Sequence, residues 1–390
     1  MLDPNAYRTA EGNAIRGLQN VRGKEIHGPD YFAHTGFMDR VSSLHDTKGY
    51  FDTMQTGRFE PYVEELGGLN EAERAEFIEK SATFARFYAS TYQTENVPLP
   101  AADLMAHFAL ALKLRNLPDR RRILEIGPGT GLLSLFLADD PEVQCYDQIE
   151  ITEAFYLIQS MLGSYFYGEG FDEHALPEPH PTADADLGMN RVNDAFLSYF
   201  RSYQPDATAS ISVKRDETFN HFPWWKIGRL YDRQYDVITA NANLSEMDPK
   251  AMLFYLNIIQ KSLRPGGYML VQCLGGAPVR YPSIISAIGM FGLKPVYVLG
   301  ANTTDHVNMG YPEGKHALPA DAPKLVVANA LFQRDVSADP ARLVELVRSG
   351  PIFDSSQPLT RANFRLDGEG REPLSKSTLV EEVRLALQSK

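Results

Sequence analysis

A short apolar run followed by three closely spaced glycines dictates how the middle of this chain can fold. Residues 123–126 are apolar except for Glu125, which is typical of a short buried parallel strand. The glycines that follow are Gly127, Gly129 and Gly131. Residues 132–138 then carry apolar side chains at helical spacing. The stretch predicts a strand, a glycine turn and a helix, whose free N–H groups and bare backbone can approach a nucleotide-like ligand.

The position of the third glycine distinguishes between classes of nucleotide ligand. A dinucleotide-binding turn has the spacing G-x-G-x-x-G, which would require a glycine at position 132. That residue is Leu132, and the glycine comes one position earlier at Gly131, so NAD is disfavoured. With Glu125 closing the strand, the spacing E-x-G-x-G-x-G resembles motif I of the class I S-adenosylmethionine (SAM) dependent methyltransferases.

This resemblance implies an α/β fold with a Rossmann-like, seven-stranded methyltransferase sheet. The strand order would be 3-2-1-4-5-7-6, with the seventh strand antiparallel to the others. A second motif supports the resemblance, because residues 263–267 read Leu-Arg-Pro-Gly-Gly, a turn common before strand five in these enzymes. We expect strand five at residues 269–274 and two further strands at residues 295–299 and 325–332.

The composition favours a small-molecule partner. The 390 residues include 38 basic and 50 acidic side chains, and a net charge of −12 opposes binding to nucleic acid phosphates. No stretch has the length and apolarity of a membrane span or a signal peptide, so a cytoplasmic location without a membrane partner is expected. Cys145 and Cys273 lie in apolar, strand-like runs and are interpreted as structural thiols.

The chain is long enough for a catalytic domain with additions at both ends. We predict a mostly helical N-terminal lid or substrate region at 1–97, a SAM-binding Rossmann-like domain at 98–335 with an insertion at about 164–208, and a C-terminal helical tail at 336–390. In the first region, Asn70 and Glu73 form a capping-box pattern that predicts a helix running to about Tyr92. A second helix is expected at 101–114.

An acidic residue after the second strand is expected to bind the ribose of the cofactor. The second strand is predicted at residues 143–151, and both Asp147 and Glu150 are candidates. We favour Glu150, because the apolar alternation continues past Asp147 and the helix cap at Thr152 comes only after Glu150. Its carboxylate would accept hydrogen bonds from the two ribose hydroxyls.

The third and fourth strands carry the remaining candidates for cofactor contacts. We place strand three at residues 209–214 and strand four at residues 235–240. Between them, residues 221–225 read His-Phe-Pro-Trp-Trp, where Phe222 could stack on the adenine or simply pack in the core. Because ligands bind beyond the carboxyl ends of parallel strands, the polar residues after strand four should face the ligand. These residues are Asn241, Asn243 and Glu246.

Two further stretches resemble the sugar O-methyltransferase family, namely residues 150–159 and 241–247. The match covers roughly residues 120–275. The resemblance implies SAM as cofactor and a small-molecule or sugar hydroxyl as acceptor. It also implies the SAM contacts, which are Glu125, Gly127, Gly129, Gly131, Glu150 and Asn241.

Methyl transfer to a hydroxyl requires alignment of the two partners and a base that removes the proton. His306 is the first candidate, because its loop precedes the antiparallel strand and should face the ligand, and Glu246 is the second. No aspartate cluster indicates a metal. Two alternatives stay open: an N- or C-methyltransferase of a natural-product scaffold, and a catalytically inactive binding protein with this fold. Whether the protein is a homodimer also stays open.

Overall fold

The computed structural model describes eleven stretches of the chain: residues 2–17, 40–51, 57–176, 219–241, 243–244, 247, 249–272, 281–298, 329–334, 352–353 and 370–388. The strands are β1 (Arg122–Ile126), β2 (Cys145–Glu150), β3 (Phe171–Glu173), β4 (Phe219–Pro223), β5 (Tyr235–Asn241), β6 (Leu263–Gln272), β7 (Leu293–Val298), β8 (Asn329–Arg334) and β9 (Ile352–Phe353).

The α-helices of the described stretches are α1 (Pro4–Gly17), α2 (Phe59–Glu65), α3 (Glu71–Tyr92), α4 (Ala101–Arg115), α5 (Leu133–Leu137), α6 (Glu153–Tyr167), α7 (Pro249–Ser262), α8 (Tyr281–Met290) and α9 (Lys376–Gln388). Three 3₁₀ helices occupy Leu44–Tyr50, Gly168–Gly170 and Trp224–Asp232.

The nine strands of the described stretches form one mixed sheet in the order β3-β4-β2-β1-β5-β6-β8-β7-β9. The strands from β3 to β6 are parallel, whereas β8 is antiparallel to both β6 and β7. The predicted α/β class and the antiparallel strand are therefore confirmed. The predicted seven strands in the order 3-2-1-4-5-7-6 are wrong for the sheet as a whole, because β3 and β9 extend its two edges.

The neighbour of β2 is also different from the one predicted. Residues 209–214, the predicted third strand, lie outside the described residues. The strand paired with β2 is β4, which includes His221 and Phe222 and is buried along its whole length. Phe222, for which adenine stacking and core packing were both left open above, therefore lies in a strand of the sheet. β3 lies within the region predicted as an insertion and pairs with β4, because the short 3₁₀ helix at Gly168–Gly170 returns the chain to the sheet after α6.

Both faces of the sheet are covered by helices. This is expected, because successive apolar side chains of β1 point to opposite faces of the sheet. Ile123 belongs to an apolar cluster with α3, α4, α5 and α6, whereas Leu124 and Ile126 belong to a second cluster with α7 and α8. Helix α4 lies between the sheet and the N-terminal helices, and its residues from Ala101 to Leu114 are buried. This burial explains why α4 is apolar around most of its circumference.

The predicted start and end of α3 are confirmed, whereas β2 is shorter at both ends than the predicted strand at residues 143–151. Helix α3 begins after Asn70, whose Oδ1 accepts the Glu73 N–H at 2.9 Å while Glu73 Oε2 accepts the Asn70 N–H at 3.0 Å. It ends at Tyr92. Strand β2 ends at Glu150, and Thr152 is the N-cap of α6.

The N-terminal and C-terminal helices pack against the central part of the fold. Helix α9 packs on α3, where Arg74 Nε donates to Glu382 Oε2 at 3.1 Å and Arg371 Nη1 donates to Glu73 Oε1 at 2.9 Å. Helix α1 packs on α6 and on the 3₁₀ helix at Trp224–Asp232. The division into three regions stays a prediction. None of the helices in the described stretches is long and apolar enough to cross a membrane.

Candidate functional site

The glycine turn between β1 and α5 adopts a backbone that other residues rarely adopt. Gly127, Gly129 and Gly131 have φ angles of 60°, 59° and 74°, which lie in the left-handed region. A Cβ atom on Gly127 would lie 2.5 Å from Asn243 Nδ2, and one on Gly131 would lie 2.7 Å from Gln159 Cγ. Gly127 and Gly131 are therefore required by the protein's own packing.

Glu150 is held in one orientation at the carboxyl end of β2. Its Oε1 accepts the N–H groups of Ile151 and Thr152, both at 2.8 Å, and its Oε2 accepts the Nε2–H of Gln159 at 3.0 Å. The side chain is almost fully buried. Burial raises the pKa of the carboxyl, and the three hydrogen bonds act in the opposite direction. The role of this carboxylate in ribose binding stays a prediction.

Asp147, the other candidate, is occupied by structural partners. Its carboxylate accepts Arg233 Nη1 at 2.9 Å, the Tyr235 hydroxyl at 2.5 Å and Asn220 Nδ2 at 2.8 Å. The side chain is fully buried between strands. Asp147 therefore links β2 to β4 and β5 within the sheet.

Gln159 joins the glycine turn to Glu150, a role that the sequence analysis missed. Its Nε2 donates to the Gly129 carbonyl oxygen at 2.6 Å as well as to Glu150. Its Oε1 accepts the Nε2–H of His221 at 2.8 Å. The available signal was a glutamine in an apolar helix, one of the few polar side chains on the buried part of α6.

His221 supports Gln159 as a neutral imidazole. Burial lowers its pKa well below the ordinary range. Because Nε2 donates to Gln159, Nδ1 is left to accept the Ser160 hydroxyl at 3.2 Å. The ring stacks on Tyr156 with a centroid distance of 3.8 Å. His221 is thus a supporting residue beneath the site.

Two asparagine oxygens at the end of β5 are buried without a partner. Asn243 Nδ2 donates to the Ile126 carbonyl oxygen, which places this side chain against the start of the glycine turn. The Oδ1 atoms of Asn241 and Asn243 have no hydrogen-bond partner within the described residues. Because buried acceptors are normally satisfied, these two oxygens are suited to a donor group of a ligand.

Glu125 lies on the face of the sheet that α4 covers. Its carboxylate is fully buried, and its Oε2 accepts the Tyr146 hydroxyl and, at 3.0 Å, Gln148 Nε2. Its Oε1 has no partner in the described part of the chain. Burial raises the pKa of this carboxyl. A direct contact between Glu125 and a cofactor stays a prediction.

Helix α4 is hydrogen-bonded to the glycine turn through Asp103. Asp103 Oδ2 accepts the Thr130 hydroxyl at 2.6 Å, and Asp103 Oδ1 lies 3.3 Å from His107 Nδ1. Burial opposes a charge on His107, but the charges of Asp103 and Glu125 and the hydrogen bonds to Asp103 together raise the pKa of His107 to about 9. A buried ion pair therefore lies under the turn at neutral pH.

The remaining predicted site residues are Phe222, Glu246 and His306. Phe222 is buried in the second apolar cluster, where His174 stacks on it at 4.4 Å and the Arg233 guanidinium lies 4.9 Å from its centroid. Its contact with adenine stays a prediction. Glu246 and His306 lie outside the described residues. Among the residues that the structure does describe, no group of three His, Cys, Asp or Glu side chains is placed to hold a metal ion.

Comparison with protein families supplies an independent assignment of this region. Residues 95–282 match the family model described as "Methyltransferase domain". This part of the chain is therefore similar to a methyltransferase domain. The matched range includes every element of the site, from α4 through the glycine turn and Glu150 to Asn243. The sequence has no match among the curated proteins.

Two solved structures similar to the methyltransferase domain carry related descriptions. The methyltransferase domain of bacterial CtHen1-CN is 10% identical, with 59% of this chain and 97% of that one covered and a TM-score of 0.32. The O-MT segment of StiE is 11% identical, with 67% and 86% covered and a TM-score of 0.34. Because these scores are low, the assignment rests on the family match.

Proposed function

We propose that this protein is a SAM-dependent methyltransferase that methylates a hydroxyl oxygen of a small molecule or sugar. The observation that carries the proposal is the set of groups around the glycine turn of the methyltransferase domain. The fixed carboxylate of Glu150 lies on one side of the turn, and the unpartnered oxygens of Asn241 and Asn243 lie on the other.

These groups fit the two ends of SAM. A nucleoside end offers ribose hydroxyl donors, which suit the Glu150 carboxylate, because its three present hydrogen bonds leave acceptor capacity. A methionine end offers an ammonium group, which suits the Oδ1 atoms of Asn241 and Asn243. Gly129 and its neighbours would let the backbone approach between the two ends.

The bound cofactor would supply a methyl group already activated by the sulfonium. The tasks left to the chain are to align the acceptor oxygen, exclude water and remove the hydroxyl proton. His306 and then Glu246 are proposed for proton removal, and the N-terminal region of residues 1–97 is proposed to help cover the site. The sugar acceptor is supported by the resemblance of residues 150–159 and 241–247 to sugar O-methyltransferases.

Isothermal calorimetry tests the cofactor assignment first. The wild-type chain is titrated with S-adenosylhomocysteine and, separately, with NAD, and only the former is expected to bind. Glu150→Gln should weaken this binding, while the exposed control Glu169→Gln should not. Absence of S-adenosylhomocysteine binding by the wild-type chain would overturn the proposal.

Product analysis then tests the acceptor class. Labelled SAM is incubated with a panel of sugars, other alcohols and amines, and the methylated atom is read by NMR. We expect O-methyl products. His306→Ala should lower the rate without changing the affinity for S-adenosylhomocysteine. Methylated nitrogen or carbon as the main product, or binding without any turnover across the panel, would favour one of the two alternatives given above.

A further inference from the structure

We propose that Arg8 on α1 is a positioning residue of the cofactor site. It acts through Glu153, the first residue of α6, which follows closely after Glu150 at the end of β2. The inference rests on the proposed function. It assigns the N-terminal helix a specific task at the nucleoside end of the site, rather than a general covering role.

The contact between Arg8 and Glu153 is a two-point ion pair with a buried carboxylate. Arg8 Nη2 donates to Glu153 Oε1 at 2.6 Å, and Arg8 Nε donates to Oε2 at 2.9 Å. Arg40 Nη1 adds a third donor to Oε2 at 2.9 Å. The side chain of Glu153 is 2% exposed, whereas those of Arg8 and Arg40 are 35% and 39% exposed. Loss of Arg8 would thus remove the hydrogen bonds that its Nε and Nη2 donate to the buried Glu153 carboxylate.

The position of Glu153 in the chain couples the Arg8 ion pair to the orientation of Glu150. It is the first residue of α6 and comes three residues after Glu150. The two residues between them, Ile151 and Thr152, donate the N–H groups that orient Glu150. The same helix carries Gln159, which binds Glu150 from the other side. A shift of the start of α6 would therefore disturb the hydrogen bonds that Glu150 accepts from Ile151, Thr152 and Gln159.

Helix α1 is also held at a second point, on the segment after β4. Glu11 Oε1 accepts Trp224 Nε1 at 3.0 Å, and Glu11 Oε2 accepts Arg40 Nη2 at 2.6 Å. Tyr7 packs on Tyr156 and on Trp225, with ring centroids 5.1 Å and 5.0 Å apart. Helix α1 therefore bridges the segments that follow β2 and β4, next to Glu150.

Two variants and two ligands test the positioning role. Arg8→Met removes the guanidinium but keeps an apolar stem, and Arg384→Met is the matched control, because Arg384 pairs with Glu381 at an exposed site on α9. The ligands are S-adenosylhomocysteine and 5′-methylthioadenosine, which shares its nucleoside end. Calorimetry should give a loss of about tenfold in affinity for both ligands in Arg8→Met, as expected for coupled sites. The control should change affinity by less than about twofold.

A double-mutant cycle separates positioning from general stability. Glu153→Gln should weaken both ligands as Arg8→Met does, and the double variant should lose no more than either single variant. Arg8→Lys keeps the charge but not the two-point contact, so an intermediate affinity is expected. Folding of each variant is checked by its thermal transition. If Arg8→Met does not fold, the comparison of Arg8→Lys and Glu153→Gln with wild type decides the question.

The outcomes distinguish this inference from the proposed function. A wild-type chain that binds neither ligand overturns the proposed function, and the inference falls with it. A wild-type chain that binds both ligands, together with folded Arg8 and Glu153 variants of unchanged affinity, overturns the inference alone. A loss confined to S-adenosylhomocysteine would also overturn it, because the effect would then not lie at the nucleoside end.

Discussion

The side-chain nitrogen of Gln159 lies 2.6 Å from the carbonyl oxygen of Gly129 and donates a hydrogen bond to it. The same nitrogen donates to Glu150. One amide group therefore connects the glycine turn after β1 with the last residue of β2. The distance between the glycine turn and Glu150 is therefore set by the position of α6. This relationship makes Gln159 the most direct test of how the site is assembled.

Replacement of Gln159 by leucine should weaken both the fold and the site. The change keeps a similar volume but leaves Glu150 Oε2 and His221 Nε2 buried without this partner. We expect a loss of about 1–3 kcal/mol in the free energy of unfolding, measured with urea. Affinity for S-adenosylhomocysteine should fall as well. Gln388→Leu at the exposed end of α9 is the control and should change neither quantity.

Substitution of Glu150 should affect ligand binding, and substitution of Asp147 should affect stability. Glu150 is proposed to bind the ligand, whereas Asp147 links strands of the sheet. Glu150→Gln should cost about 1.5–3 kcal/mol of S-adenosylhomocysteine binding, the range for hydrogen bonds to a charged group. Asp147→Asn removes the charge opposite Arg233 and should lower the free energy of unfolding by about 3 kcal/mol. Its folded form should bind the ligand normally. The reverse pattern would show that Asp147 is the ribose ligand.

Gly131 tests whether packing or backbone strain restricts the glycine turn. Gly131→Ala places a Cβ atom at φ 74° and 2.7 Å from Gln159 Cγ. Gly266→Ala is the matched control, since Gly266 has φ 76° and no atom of the described residues within 4 Å of the added Cβ. Both variants should lose about 1–2 kcal/mol from the left-handed backbone. Gly131→Ala should lose about 1–3 kcal/mol more from the steric conflict. Equal losses in urea unfolding would exclude the packing explanation.

Because of the buried pair of His107 and Asp103, the free energy of unfolding should decrease as pH rises above neutrality. The folded pKa of His107, about 9, lies above the unfolded value of about 6.5. The stabilisation is therefore complete below about pH 6.5 and is lost as pH rises through about 9, with a total of about 3 kcal/mol. Unfolding with urea between pH 6 and 10 measures it. His107→Asn should flatten this dependence, whereas the exposed control His45→Gln should retain it.

Local sequence determined the elements whose signals lie within a few residues of each other. The capping box of Asn70 and Glu73 determines where α3 begins, since both partners belong to the same turn of helix. The alternation through Ile149 and the cap at Thr152 place the end of β2 at Glu150. The three glycines likewise identify the turn after β1, because its backbone requires positive φ angles. These features needed no knowledge of the rest of the fold.

Tertiary structure decided which distant segments share the site. β4 was not predicted as a strand, because its aromatic residues suit either a ligand site or a buried strand, and its pairing with β2 depends on residues about 70 positions away. The short edge strands β3 and β9 depend on neighbours far away in the chain. The contacts of Gln159 with Gly129 and of Arg8 with Glu153 join residues 30 and 145 positions apart. Hydrogen bonds of this kind depend on the packing of whole elements, so no local pattern records them.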